Sequence, residues 1–214
     1  MAHRRPGGMG LLWAASTLVP VLALLLATLV LGLHPERALR DPAAYLDYAP
    51  HVGFFSTIGG LGWWTAAIAG LLAGAVLRDR SPEAEPLLAG GLLSAVLGLD
   101  DLFMLHEEML PRHAGLPETV VVGAYVLATL AYLWGGRRLH LSVAPSLLVA
   151  ALGLFGVSVL VDQTHPAFLQ GPEGMSILAE DGTKFAGICC WTAYHLRVAY
   201  RVLRDRTQSG AAAG

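Results

Sequence analysis

This sequence is poor in charged residues and above all in lysine. Aspartate, glutamate, lysine and arginine together make up 14% of its 214 residues, against about 25% in an ordinary soluble domain. Lys184 is its single lysine, and the formal net charge is −2, so the chain offers no basic surface for nucleic acid. Because 55% of the residues are hydrophobic, the composition indicates a membrane protein.

Cysteine and the common metal motifs are also nearly missing. The two cysteines, Cys189 and Cys190, are adjacent in an apolar run, which excludes a disulfide framework and a CxxC zinc spacing. The sequence contains no HExxH motif and no pair of ExxH motifs of the kind found in diiron bundles. Any metal site must therefore be assembled from residues that lie far apart in the chain.

Six apolar segments are long enough to cross a membrane, which takes about 20 helical residues for a core of about 30 Å. They cover residues 10–33, 53–77, 87–110, 118–134, 141–162 and 175–202, with prolines and glycines between them. We predict a single all-α domain over residues 1–206, a polytopic bundle of six transmembrane helices, followed by a disordered tail over 207–214. The first segment is longer than the apolar core of a usual signal peptide, so we expect it to be retained.

Arginine is distributed unevenly between the predicted loops. With the N-terminus inside, ten arginines lie on the inner side and three on the outer side. The inner set is Arg4, Arg5, Arg78, Arg80, Arg137, Arg138, Arg197, Arg201, Arg204 and Arg206, and the outer set is Arg37, Arg40 and Arg112. Basic residues favour the cytoplasmic side. We therefore expect both termini in the cytoplasm and, from the Leu-, Ala- and Arg-rich composition, the inner (plasma) membrane of a bacterium.

The third segment ends in an unusual group of ionisable residues, Asp100, Asp101, His106, Glu107 and Glu108. A charged side chain near the bilayer centre costs on the order of 2.5–3.5 kcal/mol on insertion scales. Two adjacent aspartates in such a segment therefore need a functional or structural reason.

The fifth and sixth segments bring further polar residues to the same depth. By helix rise, Glu180, Asp181 and Lys184 fall in the outer half of the membrane beside the two aspartates, and Asp162 and His165 fall at the outer rim. Glu180 and Lys184 are four residues apart, which favours an ion pair within the helix. Four carboxylates with one lysine leave excess negative charge, which a bound cation, protonation or water access relieves.

This cluster favours a metal-dependent, hydrolase-like enzyme that acts on a lipid or another membrane-resident substrate. Carboxylates and imidazole suit a divalent transition metal, with zinc, iron and manganese not distinguished, and an open coordination position would activate water. The candidate metal ligands are Asp100, Asp101, His106, Glu107, Asp162, His165, Glu180 and Asp181. The candidate catalytic residues are Asp101, Glu107 and Lys184.

Two other functions remain open from the sequence. Buried carboxylates with a lysine also suit a proton- or cation-coupled transporter, and a small helical protein also suits a subunit that a partner protein completes. Simpler structural roles remain open as well. His106, Glu107 and Glu108 can form a hydrated helix end, Asp162 and His165 can cap a loop, and Lys184 can neutralise a neighbouring acid.

Overall fold

The computed structural model describes residues 39–79, 81–164 and 175–212, together with isolated positions between 18 and 34. Most of these residues are helical and none is in a strand, as the sequence predicts. The chain divides into two compact units, Met1–Phe54 and Phe55–Gly214. Most of the predicted first span, residues 10–33, lies outside the described residues.

The described helices follow one another through short connections. They are α1 (Pro42–Leu46), α2 (Phe54–Leu77), α3 (Ala84–Phe103), a π-helix (Leu105–Met109), α4 (Leu110–Ala114), α5 (Glu118–Gly135), α6 (Arg137–Ser142), α7 (Pro145–Thr164) and α8 (Met175–Ala212). In the first unit, α1 is capped by Asp41, whose carboxylate accepts hydrogen bonds from the backbone N–H groups of Ala43 and Ala44.

Four described helices, α2, α3, α5 and α7, are long and apolar enough to cross a membrane. The helix α8, whose 38 residues include eight charged ones, is not among them. Helices α2 and α5 begin and end within one residue of predicted segments. Length and composition together therefore make this an all-α membrane protein.

The third predicted segment, residues 87–110, is not one continuous helix. Helix α3 ends at Phe103, where Met104 adopts a left-handed backbone with φ 48° and its N–H donates to the carbonyl of Asp100. The π-helix follows immediately. A continuous helix would place Asp100, Met104 and Glu107 on one face, and the break prevents this arrangement. A left-handed residue closes a helix whatever the hydrophobicity of the run, so apolar length did not reveal the break.

Two other boundaries differ from the predicted segments. Residues 137–142 form the separate helix α6, and α7 begins only at Pro145, after Ala144 with φ 49°. Proline fits the first turn of a helix and restricts the residue before it, which places the boundary there. Helix α8 continues to Ala212, beyond residue 202 and through most of the predicted tail.

Helices α2 and α3 cross closely through glycine. A Cβ added at Gly70 would lie 2.7 Å from the carbonyl oxygen of Leu87, and one added at Gly91 would lie 2.6 Å from the backbone nitrogen of Leu71. Both contacts are with backbone, which has no freedom to rotate away. This contact fixes α3 against α2 and so positions the residues that follow on α3.

Candidate functional site

A cavity of about 450 Å³ lies inside the second unit, between α2, α3, the π-helix, α5, α7 and α8. Its apolar wall includes Leu97, Leu130, Leu133, Leu152 and Phe155. Its charged and titratable side chains are Asp100, Asp101, His106, Glu107, Asp162, Glu180 and Lys184, and the hydroxyl residues Tyr125, Thr129 and Ser158 also line it. The charged residues lie near the C-terminal ends of α3 and α7 and near the N-terminal end of α8, so the cavity has one polar end and one apolar end.

Asp100 and His106 form a hydrogen-bonded pair at the polar end. The Nδ1 atom of His106 lies 2.5 Å from Oδ2 of Asp100. The other carboxylate oxygen, Oδ1, accepts from the backbone N–H of His106 and from the hydroxyl of Tyr125, both at 2.9 Å. Asp100 is buried. Three donors therefore hold this carboxylate, and the carboxylate holds the imidazole ring.

The turn at Met104 is what makes this pair possible. In a continuous helix, residues 100 and 106 lie on different faces, whereas the left-handed residue and the π-helix bring His106 back over the end of α3. A non-glycine residue in this conformation costs about 1–2 kcal/mol, which the hydrogen bonds to Asp100 offset. Backbone strain and π-helices occur often at functional sites.

His106 is a stronger base than an ordinary histidine. Its hydrogen bond with Asp100 raises the pKa of His106 above the usual 6.5, against the opposing effect of partial burial. The neighbouring charges of Asp100 and Glu107 act in the same direction as the hydrogen bond. When Nδ1–H donates to Asp100, the Nε2 atom carries the free lone pair, and Nε2 lies 3.5 Å from Oε1 of Glu107.

Lys184 pairs across helices and not within its own. Its Nζ atom lies 2.6 Å from Oδ1 of Asp101, whose side chain is 10% exposed. The predicted ion pair between Glu180 and Lys184 is wrong, since the ammonium reaches from α8 to α3. This ion pair links α8 to α3.

Three further carboxylates line the cavity, and one of them, Glu107, lies 3.5 Å from Nε2 of His106. Within the described part of the chain, Glu107, Asp162 and Glu180 form no ion pair with a lysine or arginine. Glu180 lies within electrostatic range of the other two. Asp162 accepts a hydrogen bond from the neutral amide of Gln163 at 2.9 Å. We call these three residues the acidic end of the cavity.

The structure brings together most of the predicted site residues but not all of them. Asp181 is exposed and does not line the cavity, because it lies one position beyond Glu180 on the helix. His165 lies outside the described residues. Among those described, no group of three or more His, Cys, Asp or Glu side chains is arranged to hold a metal ion.

Two residues that the sequence did not indicate belong to this cavity. Tyr125 binds Asp100, and Trp63 stacks on Phe155 in the wall with ring centroids 5.4 Å apart. The indole nitrogen of Trp63 is the single fully buried side-chain N or O atom without a hydrogen-bond partner in the described regions. In the sequence, Tyr125 is only a polar side chain within an apolar segment, which does not mark it as a site residue. Whether the indole nitrogen of Trp63 has a partner depends on how the helices pack, and the sequence does not reveal that.

A second buried polar cluster lies toward the opposite ends of α5 and α8. The ring of His140 bonds the hydroxyl of Tyr194 at 2.5 Å, and His195 lies 3.3 Å from the hydroxyl of Tyr132. Burial lowers the pKa of His140. His195 lies in the core and is 3% exposed. Its hydrogen bonds to Tyr132 and to the Trp191 carbonyl make that burial tolerable.

The fold and the cavity define an all-α membrane protein with an internal cavity that is polar at one end. Residues 11–198 match a family described as a domain of unknown function, DUF8692. The match covers most of the chain, which therefore belongs to this family. No curated protein and no solved structure matches the chain.

Proposed function

We propose that the protein is a membrane enzyme that hydrolyses an ester or amide bond in a lipid or another amphiphile. The observation that carries this proposal is the Asp100–His106 pair in the wall of a cavity with a long apolar lining. A carboxylate that orients an imidazole is the arrangement by which hydrolases prepare a general base. The apolar wall fits an alkyl chain that enters from the bilayer.

The chemical step uses residues that line the cavity. The Nε2 atom of His106 takes a proton from water as the water oxygen attacks the carbonyl carbon, and the same proton then passes to the leaving oxygen or nitrogen. The products are a carboxylic acid and an alcohol or amine. Asp100 holds the ring during both transfers, and Glu107, 3.5 Å from Nε2, stabilises the protonated ring.

Lys184 is the cationic group of this mechanism. Its ammonium lies in the cavity lining and donates to Asp101, which leaves two further N–H groups for the oxyanion that forms at the attacked carbonyl. Asp101 holds Lys184 in place. Substitution of Lys184 by methionine should then lower kcat and leave the affinity for a substrate analogue nearly unchanged.

A divalent transition metal remains a prediction for this site. Asp100 and Asp101 already bind donors, so the groups left to hold a metal are His106 Nε2, Glu107, Asp162 and Glu180, with Asp100 in the supporting role that carboxylates have behind metal-bound histidine. Elemental analysis of the purified protein tests this: about one equivalent that His106→Gln removes supports a metal enzyme, and no metal in an active preparation excludes one.

We also propose six spans with both termini in the cytoplasm of a bacterium. In the described regions, Arg206 pairs with Glu83 at 2.9 Å and Arg201 binds the carbonyl of Ser142 at 3.1 Å. These contacts gather the arginines of α8 near the start of α3 and the end of α6, which supports one positive, cytoplasmic end. The acidic end of the cavity would then lie toward the outer leaflet. Cysteine labelling at Ser81 and Arg112 from each side of the membrane tests this orientation.

The enzymatic proposal is tested by product formation. Purified full-length protein in lipid nanodiscs is incubated with a defined mixture of phospholipids, acylglycerols and long-chain amides, and the products are followed by mass spectrometry. We expect new acid products from the wild type, a loss of at least about a hundredfold in His106→Gln, and no loss in the exposed control His113→Gln. Equal rates for the two variants would contradict the proposal.

A further inference from the structure

The short helix α6, which joins α5 to α7, has two faces in different surroundings. His140 is buried and bonds the hydroxyl of Tyr194, which fixes α6 against α8. Arg137, Arg138 and Leu141 are exposed. A helix that combines basic and apolar side chains on its exposed face is typical of the boundary between lipid and water. Helix α6 directly follows α5, which is long and apolar enough to cross a membrane.

A stripe of arginines on α8 continues this exposed face. Arg197, Arg201 and Arg204 follow one another at spacings of four and three residues, which places them on one side of the helix, and all three are exposed. The Nη1 atom of Arg201 donates to the carbonyl of Ser142, the last residue of α6, at 3.1 Å. By helix rise, Arg138 lies about 6 Å along α6 from Ser142. This spacing is below the Debye length of about 8 Å at physiological salt, so the positive charges of the two helices reinforce one another.

The arginines are in excess at this surface. In the regions that the structure describes, Arg138, Arg197 and Arg204 form no ion pair, and the carboxylate of Asp205 lies 3.8 Å from Nε of Arg201. The net charge of −2 for the whole chain hides this local excess, because the acidic residues of the cavity are grouped toward the opposite end of α8. An anion at this surface therefore gains from several guanidinium groups at once.

Two of the arginines are already held in place by backbone carbonyls. The Cζ atom of Arg137 lies 4.9 Å from the ring centroid of Trp134, and its Nη1 donates to the Trp134 carbonyl at 3.1 Å. Arg201 is held by Ser142 in the same way. A guanidinium group has five N–H donors, so each of the two has further donors for a phosphate, which arginine binds through two parallel hydrogen bonds.

Large apolar side chains lie beside these arginines and are exposed. The exposed fraction is 73% for Trp134, 75% for Leu141 and 66% for Tyr200. Trp134 is the last residue but one of α5, and Tyr200 precedes an arginine of the stripe. Tryptophan and tyrosine are enriched where lipid head groups meet acyl chains. The surface therefore offers positive charge and apolar contact side by side, which an amphiphilic anion matches and a soluble anion does not.

We propose that this surface binds an anionic phospholipid through its phosphate group, while the exposed apolar side chains contact the acyl chains. We call the five residues Arg137, Arg138, Arg197, Arg201 and Arg204 the arginine surface. The proposal involves neither the cavity nor the proposed hydrolysis. A soluble phosphate and a second copy of the chain are the other possible occupants, and the tests distinguish them.

Two lipids that differ only in the head group test the charge. The full-length protein in dodecyl maltoside micelles is titrated with dioleoylphosphatidylglycerol or dioleoylphosphatidylcholine. Native mass spectrometry reads the lipid-bound fraction and, in the same spectra, the oligomeric state. Each arginine near an anionic head group contributes about fivefold to binding, so we expect phosphatidylglycerol to bind at least about tenfold more tightly than phosphatidylcholine. Equal affinities would overturn the proposal.

Arginine variants test the position. Arg197→Gln should weaken phosphatidylglycerol about fivefold and leave phosphatidylcholine unchanged, and adding Arg138→Gln should weaken it further by about the same factor. Arg197→Lys retains the charge and should retain most of the affinity. The control Arg112→Gln removes an arginine that is paired with Glu108 and should have no effect.

Three results would overturn the assignment of a phospholipid to the arginine surface. The first is an equal effect of Arg197→Gln and Arg112→Gln on phosphatidylglycerol binding. The second is displacement of the lipid by inorganic phosphate alone, which would assign the surface to a soluble anion. The third is a lipid-free dimer that Arg197→Gln disperses, which would assign the surface to a second copy of the chain.

Discussion

The ion pair between Asp101 and Lys184 should dominate the link between α3 and α8. At 2.6 Å between Nζ and Oδ1, the gross attraction is about 6 kcal/mol for an effective dielectric constant of about 20, and desolvation opposes much of it. Removing one partner strands a charge, which costs about 3–5 kcal/mol in buried pairs. Because the Lys184 side chain is 32% exposed, we place the loss at the lower end, about 3 kcal/mol.

A double-mutant cycle measures this pair. Unfolding is followed in mixed micelles of dodecyl maltoside and sodium dodecyl sulfate for Asp101→Asn, Lys184→Met and the double variant. The double variant should recover part of the loss and give a coupling energy of about 2 kcal/mol. The exposed pair of Glu108 and Arg112, four residues apart, is the control and should couple by less than about 0.5 kcal/mol. Equal coupling in the two cycles would refute this account of the site.

Three further changes have definite expected outcomes. Gly91→Ala should lower the free energy of unfolding by about 1–3 kcal/mol because its Cβ meets backbone, whereas Gly123→Ala, with nothing within 4 Å, should be neutral or stabilising in the same micelle assay. Ser94→Ala removes the acceptor 2.8 Å from the Trp191 indole nitrogen and should lower the free energy of unfolding by about 1–3 kcal/mol. Ser94→Thr keeps the hydroxyl and should lose less. Because the pKa of His106 is raised in the folded protein, protonated His106 contributes fully to the free energy of unfolding below about pH 6.5, and this contribution is lost as the pH rises through the raised pKa. His106→Gln should therefore flatten this part of the plot of unfolding free energy against pH. An unchanged plot would contradict the raised pKa.

The sequence predicts the class of fold because that class depends on apolar run length alone. Helices α2 and α5 match predicted segments closely for this reason. It does not predict the end of α3, which depends on the backbone angle of one residue, Met104. An uninterrupted apolar run carries no signal for a left-handed methionine, and so the π-helix after it was missed.

The sequence locates the polar end of the cavity but not its pairing. Helix rise puts the aspartates of α3 and Glu180 of α8 at one depth, and the cavity lining includes all three. Periodicity within a helix suggested Glu180 as the partner of Lys184, but tertiary packing decides between Glu180 and Asp101. The Asp100–His106 hydrogen bond was missed for a related reason, since it depends on the broken helix.

The apolar interior of the protein contains hydrogen-bonded histidines that the sequence does not predict. His140 lies next to the start of a predicted segment, whereas His195 lies inside one, seven residues before its end. Both are buried and bonded to tyrosines of other helices. The tyrosines satisfy the hydrogen bonds of these buried histidines, and a single sequence does not reveal such partners because they come from distant segments.

The position of a bound amphiphile tests the central claim most directly. A long-chain amide with a diazirine at the end of its alkyl chain is photolysed in nanodiscs with the full-length protein, and the labelled peptides are sequenced by mass spectrometry. The account predicts labels on the apolar wall, at Leu130, Leu133 and Leu152, that an excess of the unlabelled amide suppresses. Labels confined to the exposed residues Leu127 and Val149, insensitive to competition, would contradict it.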